Sequence, residues 1–178
     1  IGCHGLPSVK YKHVQKHFFF PGFHKGTGGL LRESGLLERR RQFQQSPEAQ
    51  QTFLQGLGVD RVPGALLISL FAYENAGLAS WLDTLASDSM PTHLLVPQGR
   101  ILGDVERWLG VRDLQAGALH VRDALTVQVL PFVRQDQYDP LLWCCDFNAV
   151  RGEDSFVRAQ WAGRPMLWHI YQQEEDVH

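Results

Sequence analysis

The segment VRGEDSFVRAQWAGRP, residues 150–165, has the residue types of an anion-binding site. A strand is expected to end at its start, after which Gly152 turns the chain and the polar residues Glu153, Asp154 and Ser155 open a helix. Backbone N–H groups at a helix start are unpaired and point outward. They suit a diphosphate, to which the Ser155 hydroxyl can add a further donor.

Two adjacent carboxylates would oppose the charge of a diphosphate, so Glu153 and Asp154 need another role. Either can accept hydrogen bonds from ribose hydroxyls, or help to steady a leaving diphosphate through the helix N–H groups. The alternative is that Asp154 and Ser155 simply cap the helix. The pattern alone leaves both interpretations open.

Two further segments follow predicted strands. In FVRQDQYD, residues 132–139, the ring of Phe132 beside the amide of Gln135 could stack on a pyrimidine base and hydrogen-bond to it. Ordinary packing around a turn is the alternative. In LFAYEN, residues 70–75, Tyr73 would reach into the same crevice.

The glycine-rich segment HFFFPGFHKGTGGLLRE, residues 17–33, is not a phosphate-binding Walker A loop. Lys25 precedes the glycines, and no Gly-Lys-Ser/Thr sequence follows them. Gly26, Gly28 and Gly29 are instead expected to permit a tight turn near an interdomain cleft.

The histidines and cysteines form no metal-binding pattern. His13 and His17 have helical spacing but lack the glutamate of an HExxH motif, which argues against zinc. Three cysteines, with Cys144 and Cys145 adjacent, cannot build a disulfide framework and lack metal-ligand spacing. We expect Cys144 and Cys145 to be core residues in a reducing, cytoplasmic protein.

Composition narrows the class of protein further. A chain of 178 residues with 44% apolar content can bury one core and part of another, and its first residue is not Met, so a fragment of a longer protein is expected. Lys and Arg total 17 against 19 Asp and Glu, which predicts neither nucleic-acid binding nor a membrane partner. The basic run Arg39, Arg40 and Arg41 is interpreted as a solvated helix face. No apolar stretch reaches the roughly 18–20 residues of a membrane span.

From Ala65 onward, short apolar runs alternate with helical patterns, which predicts a doubly wound α/β domain. Strands are expected at residues 65–71, 92–97, 119–121, 126–130, 147–150 and 166–170. Four helices are expected between these strands. The first is capped by Asn75, the second ends at Gly110, the third is capped by Asp136, and the fourth runs from near Asp154 to Gly163. Such sheets bind ligands at the carboxyl ends of their strands.

The first 62 residues have a different character and include a short helix capped by Ser46, with Pro47 at its first position and Gly58 after its end. We therefore predict that residues 1–62 are the end of a preceding domain with a linker, and that residues 63–178 are an incomplete doubly wound domain.

Several motifs, in order along the whole chain, together resemble the EarP family of protein-arginine rhamnosyltransferases. They are HGLPS, HFFFPGF, TGGLLRE, LFAYEN, LPFVRQDQYD, RGEDSFVRAQWAGRP, WHIY and QEEDVH. RGEDSFVRAQ is long enough to be specific, whereas TGG alone would carry little weight.

The resemblance implies a GT-B glycosyltransferase, in which two Rossmann-like domains face a cleft and no metal is required. It implies dTDP-β-L-rhamnose as donor, an arginine of elongation factor P as acceptor, and inversion at the sugar. Residues 63–178 would be the nucleotide-sugar-binding domain, and Glu153 matches a glutamate important for activity. The implied donor-binding residues are Phe71, Tyr73, Phe132, Gln135, Arg151, Gly152, Glu153, Asp154 and Ser155.

The sequence departs from the family pattern at VKYKH (residues 9–13), at Gln172, where proline is expected, and at Tyr138, a position that is sometimes Phe.

The family's aspartates that activate the acceptor arginine would precede the first residue. The chain is therefore expected to bind donor yet be inactive alone. The alternative is a catalytically silent nucleotide-sugar-binding module. A dinucleotide enzyme is disfavoured, because no GxGxxG follows a strand.

Overall fold

The computed structural model describes residues 3–171, so Gln172 and the QEEDVH motif lie outside the described residues. The chain divides into two compact units, Ile1–Leu36 and Leu37–His178. The assignment of residues 1–62 and 63–178 to two functional domains stays a prediction.

The first unit contains a β-hairpin that the sequence analysis did not predict. Strand β1 (Cys3–Pro7) pairs antiparallel with β2 (Gln15–Phe19). The expected glycine turn follows, with Gly26 and Gly29 at φ values of 102° and 75°. A Cβ at Gly28 would lie 2.1 Å from the Phe19 ring, so only glycine fits there.

Two helices precede the main sheet. They are α1 (Leu36–Gln44) and α2 (Pro47–Gly56). The Ser46 hydroxyl accepts a hydrogen bond from the Ala49 N–H at 3.2 Å, and Gly58 has a φ of 74°, as the predicted start and end of α2 require.

The second unit is built on a six-stranded sheet with the order β5-β6-β4-β3-β7-β8. Its elements are β3 (Leu66–Leu70), α3 (Leu78–Ser87), β4 (Thr92–Pro97), α4 (Leu102–Leu109), β5 (Leu119–Arg122), β6 (Leu125–Leu130), α5 (Gln135–Cys144), β7 (Phe147–Arg151), α6 (Gly152–Ala162) and β8 (Met166–His169). All strands are parallel except β5, which pairs antiparallel with β6. Only the residues Asp123 and Ala124 join β5 to β6, and so short a connection permits antiparallel pairing alone.

Helices cover both faces of this sheet, which confirms the α/β fold class. Neighbouring strand residues point to opposite faces, so Leu94 and Leu95 belong to two different apolar clusters. The Leu94 cluster includes Leu82 of α3 and Val105 of α4, and the Leu95 cluster includes Leu141 of α5. Buried Cys144 and Cys145 lie in the Leu95 cluster, as predicted for core residues.

The chain reverses its direction across the sheet between β3 and β7. From the central strand β3 it proceeds through β4 to β6 on one side, then returns to β7 and β8 on the other. Ligands of doubly wound proteins bind at the carboxyl ends of the two strands that flank such a switch point.

Three predicted helix starts differ from the structure. Arg134, not Asp136, is the N-cap residue of α5, and Arg134 pairs with Asp136 at 2.7 Å. Helix α6 begins at Gly152, two residues before Asp154. Asn75 lies ahead of the α3 cap residue Gly77, whose N–H its side chain accepts at 2.7 Å. Asn75 and Asp136 thus bond to residues two positions away instead of taking the cap position.

A buried polar pair links β4 to β6. His93 Nε2 lies 3.0 Å from Gln128 Oε1, and the Gln128 amide donates to the Gly58 carbonyl at 2.7 Å. Burial lowers the pKa of His93, and the ring therefore favours its neutral form.

Within residues 3–171, no helix is long and apolar enough to cross a membrane.

Candidate functional site

All nine residues selected from the sequence line two adjoining depressions at the carboxyl ends of the strands. The first has a volume of about 220 Å³ and is lined by Phe71, Pro97, Gln98, Phe132, Val133, Gln135, Tyr138, Asp154 and Ser155. The second has a volume of about 420 Å³ and is lined by Phe71, Tyr73, Arg100, Arg151, Gly152, Glu153, Asp154 and Ser155. The depressions share three residues and therefore form one continuous surface.

The switch point between β3 and β7 explains why these residues meet. Phe71 directly follows β3, and its N–H donates to the Ala149 carbonyl of β7 at 2.9 Å. Arg151 is the last residue of β7, and Gly152 begins α6. Tyr73 lies in the loop after β3, and residues 153–155 lie in the first turn of α6. The other lining residues lie at the end of β4, in the loops after β4 and β6, and in α5, as the carboxyl-end rule requires.

Arg151 is held between two aromatic rings. Its guanidinium carbon lies 4.4 Å from the ring centroid of Phe71 and 4.6 Å from that of Tyr73. One terminal nitrogen of Arg151 is buried and has no hydrogen-bond partner among residues 3–171. A planar cation fixed by stacking, with a donor to spare, is suited to binding a phosphate or carboxylate.

Tyr73 is positioned by β8 and by the start of α6. Its ring meets His169 edge to face at 5.5 Å, and its N–H donates to His169 Nδ1 at 3.3 Å. Gly152 has a φ of 63°, and a Cβ there would lie 3.6 Å from the Tyr73 hydroxyl. Gly152 thus supplies the left-handed turn into α6 and leaves the hydroxyl close to the helix start.

The start of α6 carries no side-chain cap. Arg151 is the N-cap residue and makes no capping hydrogen bond, while Asp154 and Ser155 lie inside the helix. The interpretation that Asp154 and Ser155 merely cap the helix is therefore wrong, because the helix begins before them. The first-turn N–H groups are left for a ligand or solvent, next to the Arg151 guanidinium.

Aromatic side chains line the first depression. Phe132 is 73% exposed, which is unusual for a phenylalanine without a bound partner. Tyr138 meets Phe71 edge to face at 5.9 Å, and its buried hydroxyl lies toward the Ser155 side chain but completes no hydrogen bond among residues 3–171. Burial raises the pKa of Tyr138 to about 12, so the hydroxyl stays protonated and can donate to a ligand.

The two helices behind the depressions are joined by a nearly buried ion pair. Arg158 of α6 binds both carboxylate oxygens of Asp139 of α5, with its Nε at 2.8 Å. The two side chains are only 16% and 12% exposed, respectively. A bidentate pair of this kind fixes the spacing between the Gln135 end of α5 and the Ser155 end of α6.

Sequence reasoning missed part of the lining. Pro97 ends β4, Gln98 and Arg100 follow it, and Val133 and Tyr138 follow β6. The carboxyl-end rule applied to β4 could have found the first three. No group of three or more His, Cys, Asp or Glu side chains placed to hold a metal occurs within residues 3–171.

A family model described as Elongation-Factor P (EF-P) rhamnosyltransferase EarP matches residues 1–178 of the chain. The chain belongs to the EarP family. Curated EarP-family relatives named protein-arginine rhamnosyltransferase include one from Pseudomonas putida KT2440, 67% identical over 177 residues, and one from Pseudomonas aeruginosa PAO1, 65% identical over 176 residues. Another from Shewanella oneidensis MR-1 is 40% identical over 183 residues.

These alignments cover 99% of this chain and 46–47% of the relatives, so the chain spans about half the length of the curated relatives it matches. A solved structure described as the structural basis for EarP-mediated arginine glycosylation of translation elongation factor EF-P superposes with a TM-score of 0.84 at 69% identity. That match covers 86% of this chain and 50% of the solved chain. The EarP-family assignment and the fold therefore rest on sequence and structure together.

Proposed function

We propose that the full-length protein transfers L-rhamnose from dTDP-β-L-rhamnose to an arginine side chain of translation elongation factor P, with inversion at the sugar. Membership of the EarP family supports the reaction class. The observation that carries the donor assignment is the convergence of nine residues on one surface at the β3/β7 switch point. A two-domain GT-B arrangement of the whole protein, with this unit as the donor side, is part of the proposal.

The donor nucleotide is proposed to occupy both depressions. Phe132 stacks on thymine and Gln135 hydrogen-bonds to its edge, because an exposed ring beside an amide suits a pyrimidine. The diphosphate lies in the second depression against Arg151, the first turn of α6 and the hydroxyls of Tyr73 and Ser155.

The proposed reaction is a single displacement at the anomeric carbon. A nitrogen of the acceptor guanidinium attacks C1 of rhamnose and forms the new C–N bond. The bond from C1 to the diphosphate oxygen breaks, the electron pair leaves with dTDP, and the attacking nitrogen passes its proton to one of the amino-terminal aspartates that the family resemblance implies. One displacement inverts the configuration at C1.

Positive charge near the leaving diphosphate is what this site can contribute to the rate. Arg151 and the uncapped N–H groups of α6 are fixed before the donor arrives. Hydrogen-bond donors and charges that need no rearrangement during the reaction stabilise developing charge most effectively. The proposal therefore assigns this role to Arg151 and the helix start and includes no metal or other cofactor.

Glu153 is proposed as the carboxylate that matters for activity. It lies in the first turn of α6, is exposed, and lines the second depression. From there it can accept hydrogen bonds from ribose or sugar hydroxyls, or order the acceptor guanidinium by a charge-assisted pair. We favour the donor-side role, because Glu153 lies among the proposed donor-binding residues.

A cytoplasmic location is proposed on the ground that the acceptor is a translation factor.

The test has two arms, both on the full-length protein. Calorimetric titration with dTDP, UDP and NAD is expected to show a clear preference for dTDP. Mass spectrometry of elongation factor P after incubation with dTDP-β-L-rhamnose is expected to show one added deoxyhexosyl group. Binding of dTDP without transfer would leave a nucleotide-sugar-binding module, and a preference for NAD would overturn the donor assignment.

A further inference from the structure

Arg100 is a second cation in the depression that holds Arg151. It lies in the turn between β4 and α4 and lines the 420 Å³ depression. Its guanidinium carbon is 5.7 Å from the Tyr73 ring centroid, while that of Arg151 is 4.6 Å from the same centroid. Two guanidinium groups from different loops are thus placed around one tyrosine ring.

The ion-pair partner of Arg100 is the exposed carboxylate of Glu74. Its Nε lies 3.0 Å from the carboxylate of Glu74, and the two side chains are 64% and 49% exposed, respectively. Exposed ion pairs of this kind contribute little to stability, because both groups remain well hydrated. Arg100 can therefore leave the Glu74 carboxylate for another anion at a small cost in free energy.

Glu74 does not depend on Arg100 alone. The pKa of the Glu74 carboxyl is lowered first by a hydrogen bond from its own backbone and only then by Arg100. The carboxylate therefore keeps a stabilising contact when Arg100 leaves. Arg151, by contrast, is fixed between Phe71 and Tyr73 and cannot move toward a ligand without losing both stacking contacts.

We propose that Arg100 is a diphosphate-binding residue, which exchanges the carboxylate of Glu74 for a phosphate of the bound nucleoside diphosphate. This inference rests on the proposed function, since that function brings a nucleoside diphosphate to the second depression. Glu153 and Asp154 line the same depression and oppose a bound anion. A mobile second cation offsets them only when the anion is present.

The test compares the affinities of dTDP and thymidine for three variants of the full-length protein. Arg100→Gln should weaken dTDP binding about fivefold to tenfold and leave thymidine binding unchanged, because only dTDP carries the phosphates. Glu74→Gln should tighten dTDP binding about twofold to fourfold, because it removes the competing carboxylate. Arg112→Gln, at an exposed arginine outside the depression, makes the same charge change and should have no effect on either ligand.

The salt dependence of dTDP binding adds a second readout. Its slope against salt concentration should be smaller for Arg100→Gln than for the Arg112→Gln control. An unchanged dTDP affinity in Arg100→Gln, or an equal loss for thymidine, overturns the phosphate contact. Weakening in Arg100→Gln with no gain in Glu74→Gln overturns the exchange. If the unsubstituted protein binds neither ligand, the proposed function itself fails.

Discussion

The guanidinium of Arg151 stacks on the ring of Phe71, with its carbon 4.4 Å from the ring centroid. The two residues come from neighbouring strands, since Phe71 follows β3 and Arg151 ends β7. The contact therefore forms when the central sheet forms, before any ligand binds. A cation whose orientation is already fixed loses less conformational entropy on binding an anion.

Replacing Arg151 with Lys should weaken dTDP binding about tenfold or more, equivalent to roughly 1.4 kcal/mol. Lysine keeps the charge, but it loses the planar group that stacks on Phe71 and Tyr73 and the paired donors that fit a phosphate. Calorimetry on the Arg151→Lys protein measures the change, with Arg112→Lys as the exposed control. Affinity within twofold of the unsubstituted protein would show that charge alone suffices at this position.

Replacing Tyr138 with Phe should have opposite effects on stability and binding. The buried Tyr138 hydroxyl completes no hydrogen bond within residues 3–171, so removing it is expected to raise the free energy of unfolding by up to about 1 kcal/mol. The same change removes a donor from the first depression and should weaken dTDP binding by a factor of about three to ten. Denaturant unfolding and calorimetry on one preparation test both effects. A loss of stability would mean that the hydroxyl supports the fold instead of the ligand.

The sequence predicted the sheet, its helices and the place of the site for one physical reason. Apolar runs identify buried parallel strands, and the polar residues just after such strands must meet at one edge of the sheet. Tyr73 and Phe132 were located in this way, and both line the depressions. Phe71 and Arg151 were expected from the family resemblance, and they line the depressions as well. The rule requires no knowledge of side-chain contacts.

The features that sequence reasoning missed are a helix start, the face on which Tyr138 lies, and a hairpin of two short strands. Helix α5 begins at Gln135, whereas a cap at Asp136 would start it at residue 137. This difference leaves the helix faces unchanged. Tyr138 was missed because it has helical spacing to the buried residues Leu141 and Leu142, and the pattern therefore assigns it to the core. The β1–β2 hairpin was missed because its short strands lack a clear alternation of apolar and polar residues.

Replacing Phe132 with Ala should weaken dTDP binding by about 1–3 kcal/mol, the usual scale for a base stacked on an aromatic ring. Because Phe132 is 73% exposed, the same change should leave the free energy of unfolding nearly unaltered. Leu119→Ala, at a 53% exposed position on β5, is the control for removal of exposed apolar area. Unchanged dTDP affinity in Phe132→Ala would remove the base-stacking assignment.

The buried His93 should make stability fall at acidic pH. Burial lowers its pKa in the folded state, so below the ordinary value of about 6.5 the unfolded chain binds more protons. The contribution of His93 is thus complete above that pH and is lost as the pH falls toward the lowered folded-state value. Unfolding in denaturant at pH 7.5 and pH 5.5 (about one unit to either side of the ordinary value) should show a smaller stability difference between the unsubstituted protein and His93→Gln at the lower pH. A difference that does not depend on pH would contradict the neutral buried ring.

Replacing Glu153 with Gln separates the two roles that its position allows. The substitution is nearly isosteric and keeps a hydrogen-bond acceptor, but it removes the charge next to Arg151 and the first turn of α6. If Glu153 binds the ribose or sugar hydroxyls, dTDP-rhamnose should bind less tightly, because a neutral amide accepts weaker hydrogen bonds than a carboxylate. If Glu153 instead orders the acceptor guanidinium, donor affinity should be retained and turnover should fall.

We expect the donor-side result, with donor binding weakened about tenfold and turnover at saturating donor affected less. Donor affinity by calorimetry and transfer rate by mass spectrometry must be measured separately on the full-length protein. Asp154→Asn is a matched control, since Asp154 is the adjacent first-turn carboxylate and lines both depressions. Equal effects of the two substitutions would indicate a general effect of losing negative charge. Unchanged donor affinity and transfer rate in Glu153→Gln would leave Glu153 with only the favourable interaction of a carboxylate with a helix start.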